Sequence, residues 1–241
     1  MVSKSQIKLI RSLAQKKYRL KNGMFIVEGE KSVREFLASR FQLEKLYTTK
    51  NRFGTPDSHT VLVAEEDLKK ISQLKTPQSV LAIFKIPRQE VFRPQGLVVA
   101  LDGVRDPGNL GTIIRLCDWF GIKNLICSPD TADAFNPKVV QASMGSLTRV
   151  KIVYGDLAEF IENAYNLPVF GAFMDGENIY QKTLPAEGIL VMGNEANGIS
   201  KKIEKLITQR IGIPRFGDIN QTESLNVATA TAILLSEFKR R

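Results

Sequence analysis

Short uninterrupted apolar runs punctuate the chain from residue 97 onward, and their spacing sets the first expectation. Leu97-Val98-Val99-Ala100-Leu101 contains no polar position, as a strand buried on both faces requires. Similar runs recur at Leu125 to Cys127, Val169 to Phe173, Ile189 to Met192 and Ile211 to Ile213. Helical stretches separate them at Leu110 to Phe120, Lys138 to Leu147, Leu157 to Ala164, Lys201 to Ile207 and Leu225 to Lys239. Strands alternating with helices predict a parallel α/β sheet.

The first 86 residues follow a different pattern. Lys4, Lys8, Arg11 and Arg19 cluster on one side at about 100° per residue, with Leu9, Ile10, Leu13 and Ala14 opposite, which predicts an amphipathic helix carrying a basic stripe. Short elements come next: strands at Phe25 to Glu28, Leu46 to Thr48, Val61 to Val63 and Val80 to Phe84, and helices around Ser32 to Ala38 and Glu66 to Leu74. This pattern reads as a compact α/β/α module. Pro87 and the stretch Arg93-Pro94-Gln95-Gly96 break it, so the chain divides into a domain over 1–86, a linker over 87–96 and a second domain over 97–241. A length of 241 residues suits one small and one medium domain.

Composition narrows the class. Hydrophobic residues are 43% and charged residues 24%, so cores can form and disorder is not indicated. Cys117 and Cys127 lie in apolar surroundings and read as buried thiols, which fits a reducing cytoplasm. The N-terminus is basic but has no apolar run of signal-peptide length, and no stretch approaches a membrane span. A net charge of +9 favours a polyanionic partner held through its phosphates. Residues 1–22 sharpen this, because they include Lys16, Lys17 and Lys21 beside the stripe and no acid, whereas solvated helix faces usually mix signs.

Several chemistries are disfavoured. His59 is the single histidine and lies in a polar stretch, which argues against a Ser-His-Asp triad, a His/Cys metal site or histidine acid/base work. No Walker A sequence and no Gly-x-Gly-x-x-Gly after a strand occurs. Any reaction here relies on a reactive cofactor plus positioning.

Three stretches remain. In the first, Asp102 to Arg115, a Gly/Pro-rich loop leaves a strand and Asn109 is placed to cap the following helix. Arg115 sits among Ile113, Ile114, Leu116 and Cys117, so it either snorkels to the surface or points into a polar site. In the second, Gly193 and Gly198 bracket a loop directly after a buried strand, where backbone can approach a ligand or simply turn; Glu195 between them is a ligand group or a solvated acid. In the third, Ile213-Pro214 leads to Ser224, a natural N-cap, and to a helix whose Ala228, Ala230 and Ala232 permit close packing on the sheet or on a second subunit.

Together, Asn109-x-Gly111-Thr112-Ile113-x-Arg115, Val191-Met192-Gly193-Asn194-Glu195-x-x-Gly198 and Ile213-Pro214 followed by Ser224-Leu225-Asn226-Val227-Ala228 resemble the SpoU (SPOUT-type) RNA 2′-O-methyltransferases over residues 97–241. Residues 1–86 are similar to that family's RNA-binding N-terminal domain. The resemblance implies a C-terminal parallel-sheet domain tied in a trefoil knot, a homodimer, and methyl transfer from S-adenosylmethionine to a ribose 2′-hydroxyl of structured RNA, with rRNA of the large subunit ahead of tRNA. It implies a catalytic set of Asn109, Arg115, Glu195, Ser224 and Asn226, cofactor contacts near Phe173, Met192, Gly193, Ile213 and Leu225, and no metal. The basic residues Lys4, Lys8, Arg11, Lys16 and Arg19 then face the RNA. Because a guanidinium resists deprotonation, Arg115 is expected to contact the 2′-oxygen or the adjoining phosphate while Ser224, Asn226 and Asn109 hold the ribose and orient Arg115. The segment from Gly217 to Ser224 looks longer than in family members with a short spacing. Two competing readings are a catalytically silent RNA-binding relative, expected to have lost one of these polar residues, and a Rossmann-like nucleotide enzyme, which lacks its phosphate fingerprint here.

Overall fold

The computed structural model describes residues 2–88, 95–164, 167–217 and 224–240. Along the chain the elements are α1 (Lys4–Ser12), α2 (Lys16–Asn22), β1 (Met24–Glu28), α3 (Glu30–Leu37), β2 (Leu43–Thr48), β3 (Thr60–Leu62), α4 (Glu65–Ile71) and β4 (Val80–Lys85). They continue with β5 (Leu97–Asp102), α5 (Pro107–Trp119), β6 (Asn124–Cys127), α6 (Pro137–Ser143), β7 (Lys151–Tyr154) and α7 (Leu157–Glu162). The last are β8 (Val169–Asn178), β9 (Gly188–Gly193), α8 (Lys201–Glu204), β10 (Gln209–Gly212) and α9 (Val227–Lys239). Two compact units result: residues 1–88 with 133–148, and residues 89–132 with 149–241. The middle of the expected linker, residues 89–94, lies outside the described residues.

The first unit holds a four-stranded sheet in the order β1-β4-β2-β3, in which β4 pairs antiparallel with β1 and β2, and β2 and β3 run parallel. Phe25, Phe36, Phe41, Phe84 and Phe135 pack ring to ring, with centroid separations from 4.7 to 6.3 Å, giving offset and edge contacts beyond plain area burial. Phe135 belongs to the segment leading into α6, so that segment shares this unit's core.

One expectation fails here. The single basic helix over residues 1–22 is two helices, α1 and α2, separated at Leu13–Gln15. Ser3 and Gln6 form a capping box that starts α1, and Gly23 at φ 63° stops α2. The break turns Arg19 inward: it is 1% exposed, donates from Nη1 to the carbonyls of Leu13 and Ala14 at 2.8 Å each, and pairs with Asp133 at 2.5 Å. Arg19 therefore leaves the solvent-facing stripe. A continuous helix cannot offer those carbonyls, because its own amides would consume them.

The second unit holds a six-stranded, all-parallel sheet in the order β10-β8-β9-β5-β6-β7. Four of the apolar runs lie on its central strands β5, β6, β8 and β9, with Val98, Val99, Ala100, Leu101, Leu190 and Val191 fully buried, and the run at Ile211 lies on β10 at one edge. Strand β7 was not anticipated; it is an edge strand whose four residues are all half-buried, so it lacks the apolar run that marks the others. On β8 and β10 two glycines meet: a Cβ at Gly176 would lie 2.3 Å from the Ile211 carbonyl carbon, and one at Gly212 would lie 2.8 Å from the Phe173 oxygen. Neither position admits a side chain.

Candidate active site

The three motif stretches all leave carboxyl ends of parallel strands in the second unit, β5, β9 and β10, where open α/β sheets place ligands. After β5, Asp106 rather than Asn109 caps α5: its side chain accepts from the Asn109 amide at 2.8 Å and Pro107 takes the first helical position. The Asp-Pro pair was the overlooked signal. Relieved of capping, the Asn109 side chain is available for other partners.

Those partners come from the other two stretches. Asn109 Nδ2 donates to Glu195 Oε1 at 2.9 Å, and Asn226 Nδ2 donates to Asn109 Oδ1 at 2.9 Å. Asn226, not Ser224, is the N-cap of α9, with Oδ1 accepting from the amides of Ala228 and Thr229. Both ends of this chain fix its direction. A carboxylate offers acceptors, so Asn109 must turn its amide nitrogen to Glu195; the helix amides demand an acceptor, so Asn226 turns its oxygen to α9 and its nitrogen to Asn109.

The loop after β9 is held by a residue without an assigned role in the sequence reading. Asn194 donates from Nδ2 to the Gly103 carbonyl at 2.6 Å, accepts at Oδ1 from the amides of Ala196 and Asn197, and pairs backbone to backbone with Gly198. Gly193 is forced, since a Cβ there would lie 2.3 Å from the Gly198 carbonyl carbon, and Gly198 sits at φ 67°. Asp102 at the end of β5 accepts from the Ser200 amide at 2.7 Å, so the second stretch is tied to the first at both of its ends. The Asx turn in Gly193-Asn194-Glu195 would have pointed to Asn194.

The other expected residues fall as follows. Ser224 and Leu225 are exposed, Met192 is buried in the core of β9, and Ile213 is half-buried just past β10. Phe173 packs on the apolar core, and the Arg210 guanidinium lies 3.6 Å from its ring centroid. The expected long segment after Gly217 covers residues 218–223, outside the described residues. Arg115 is exposed and has no hydrogen bond or ion pair among the described residues. Six residues separate it from Asn109, so the two point about 120° apart around α5. Arg115 instead shares a stripe with Thr112 and Trp119, the latter 84% exposed. In the first unit Lys4, Lys8, Arg11 and Lys16 are exposed and Arg19 is not.

Residues 96–236 match the model of the SpoU rRNA Methylase family, and residues 4–82 match an MRM3-like substrate binding domain. The chain belongs to the SpoU rRNA methylase family. It is 30% identical over 97% of its length, and 96% of the relative's, to the Bacillus subtilis (strain 168) 23S rRNA (guanosine(2553)-2′-O)-methyltransferase RlmP. A TrmH-family chain of known structure from Porphyromonas gingivalis is 44% identical with a TM-score of 0.92, covering 100% of this chain and 99% of that one. The AdoMet-bound rRNA methyltransferase of Sinorhizobium meliloti is 31% identical with a TM-score of 0.89, covering 100% and 97%.

The strand-end residues of this SpoU protein fit S-adenosylmethionine. Strands β9 and β10 stop at Gly193 and Gly212, so the loops that follow them leave the same carboxyl edge of the sheet. Phe216, 84% exposed, stacks on Tyr180 and offers apolar surface, while Glu195 provides the negative charge that suits a sulfonium. Among the described residues no His/Cys/Asp/Glu group is arranged to hold a metal ion. Cys117 and Cys127 are buried free thiols, and burial pushes Cys117 up to about 12 and Cys127 further still, so neither is a nucleophile. No described helix is long and apolar enough to cross a membrane.

Proposed function

We propose that this SpoU protein transfers a methyl group from S-adenosylmethionine to a ribose 2′-hydroxyl of 23S rRNA in the cytoplasm, as a homodimer. The observation that carries this reading is the hydrogen-bonded line from α9 through Asn226 and Asn109 to Glu195, which joins one polar residue from each of the three motif stretches. The relatives named above support rRNA as the substrate. A trefoil knot through the loops after β9 and β10 belongs to the same proposal.

S-adenosylmethionine supplies a sulfonium methyl that an oxygen nucleophile attacks in line. Backbone near Met192, Gly193, Ile213 and Leu225 holds it, with Phe173 at the neighbouring strand. The remaining work is positioning. Asn109 and Asn226 each use one hydrogen of their amide nitrogen within the line, so each keeps a second for the ribose. Their orientation is set before substrate arrives, so no reorganisation is needed in the transition state. Ser224 lies two residues before Asn226 and adds a hydroxyl to the same ribose. Arg115 neutralises the phosphate beside the reacting sugar and stabilises the oxygen as its proton passes to solvent water and the S–CH3 bond breaks, releasing the neutral thioether. Its stripe-mate Trp119 is the kind of large exposed aromatic that a subunit interface covers, and pairing there brings Arg115 to the edge of the interface.

Arg115→Ala tests the assignment. Transfer to rRNA should fall by on the order of 10²- to 10³-fold while S-adenosylmethionine affinity, read by calorimetry, stays within about twofold. Equal loss of both would remove the special role of Arg115.

A further inference from the structure

The proposed function leaves open how the first unit grips RNA, and here we infer that the concave face between α1 and α2 is a binding site for single-stranded RNA. Phosphates fall on Lys8, Arg11 and Lys21, and one unstacked base packs against Tyr18. The inference rests on the reading of this chain as an RNA-modifying enzyme and specifies which surface of it takes the substrate.

An open groove of about 590 Å³ lies between the two helices. Lys8, Arg11 and Lys21 line it, and none of the three has an ion pair among the described residues. Cations kept unpaired and exposed on a segment without a single acid match a phosphate backbone. An aromatic ring inside the same groove adds what phosphates alone do not require. Tyr18 lines it, half-exposed, with the Lys17 Nζ 4.8 Å from the ring centroid. Basic grooves that interleave an aromatic ring bind single strands, whose bases can leave the stack; a duplex keeps its bases inside and offers mainly backbone.

Gln15 is the third observation. It occupies the N-cap of α2, a position that favours Ser, Thr, Asp or Asn, and its side chain makes no capping bond but lines the groove. A local helix rule is broken at the place where an uncommitted amide, able to donate and accept, would meet a base edge. Ser12, whose Oγ donates to the Leu9 carbonyl at 2.6 Å, also lines the groove. Arg19 shapes the groove without entering it. By tying the carbonyls of Leu13 and Ala14 to Asp133, it fixes the corner at which the two helices meet.

The test uses the full-length protein, a short fluorescein-labelled oligouridylate and an RNA hairpin with a closed stem of matching length, read by fluorescence anisotropy over a salt series. The single strand should bind more tightly than the stem. Tyr18→Leu should weaken the single strand about ten-fold with an unchanged salt slope, and Tyr18→Phe should restore it. Lys8→Ala and Arg11→Ala should each lower the slope by about 0.7. Equal binding of strand and stem, or wild-type affinity in Tyr18→Leu, overturns the inference. S-adenosylmethionine calorimetry on the same samples separates the two readings. Cofactor binding with an indifferent Tyr18 sinks the groove alone, whereas a Tyr18-dependent grip on RNA without cofactor binding sinks the methyltransferase and leaves the groove standing.

Discussion

The strand-end corner and the α1–α2 groove hold their polar groups in opposite ways. At the corner, Asn109, Glu195 and Asn226 bond to one another and to the start of α9, so their directions are fixed in advance. In the groove, Lys8, Arg11 and Lys21 have no ion pair among the described residues, and long flexible stems carry their charges. The difference matches two tasks. Positioning a nucleophile to within a fraction of an ångström rewards preorganisation, while following a phosphate backbone rewards cations that adjust and release counterions. Arg19 is the exception that makes the groove possible, a cation committed entirely to its own chain.

The largest effect is therefore expected at Arg19. Removing one partner of a buried pair leaves the other charge uncompensated, at a cost of about 3–5 kcal/mol, and the lower end applies because Asp133 is 15% exposed. Arg19→Ala should lower unfolding stability in urea by about 3 kcal/mol, whereas Lys8→Ala, on the exposed side, should change it by under about 0.5 kcal/mol. Similar losses in the two variants would erase the distinction between a structural and a ligand-facing cation.

Next comes the corner. Asn109→Ala or Asn226→Ala should each reduce kcat by on the order of 10²-fold, and the double variant should lose little more than either alone, because residues acting as one unit are not additive. Multiplying losses would mean that the two amides act independently and that the hydrogen-bonded line is incidental. Asn226→Asp sharpens this further. It keeps the acceptor that caps α9 but loses the donor to Asn109, so it should retain stability and lose activity.

What the sequence disclosed, and what it hid, follows from where each interaction partner lies. Buried central strands such as Leu97–Asp102 were legible because burial on both faces leaves an apolar run, whereas edge strand Lys151–Tyr154, half-buried throughout, left none. Helix starts were misplaced by two or three residues where several capping types crowd together, as with Asp106 and Asn109 or Ser224 and Asn226. The three motif stretches could be read and ordered, but not the bonds among them, since Asn109 meets partners 86 and 117 residues away. The burial of Arg19 was hidden for the same reason, its partner being 114 residues distant. The angle between Asn109 and Arg115, by contrast, follows from helical periodicity alone and required no tertiary information.

The smallest effect concerns Glu28, which asks whether the first unit also contains a committed acid. Its carboxylate, at the end of β1 and 6% exposed, accepts from the Ser72 hydroxyl and the Gln73 amide at 2.7 Å. Burial raises its pKa above 4.5, and those two bonds offset the rise only in part. A carboxyl raised in the folded state holds its proton more tightly there than in the unfolded chain. Its stabilising contribution is therefore complete below pH 4.5 and is lost as pH climbs from there through the raised value. Glu28→Gln keeps the acceptor for the Gln73 amide and removes the titration, so the stability of wild type relative to the variant should decline with rising pH across that window, as read from urea midpoints. A relative gain with rising pH would mean that the two hydrogen bonds outweigh burial, and that Glu28 is a committed anion built in the manner of Glu195 rather than a carboxyl tolerated at the edge of the core.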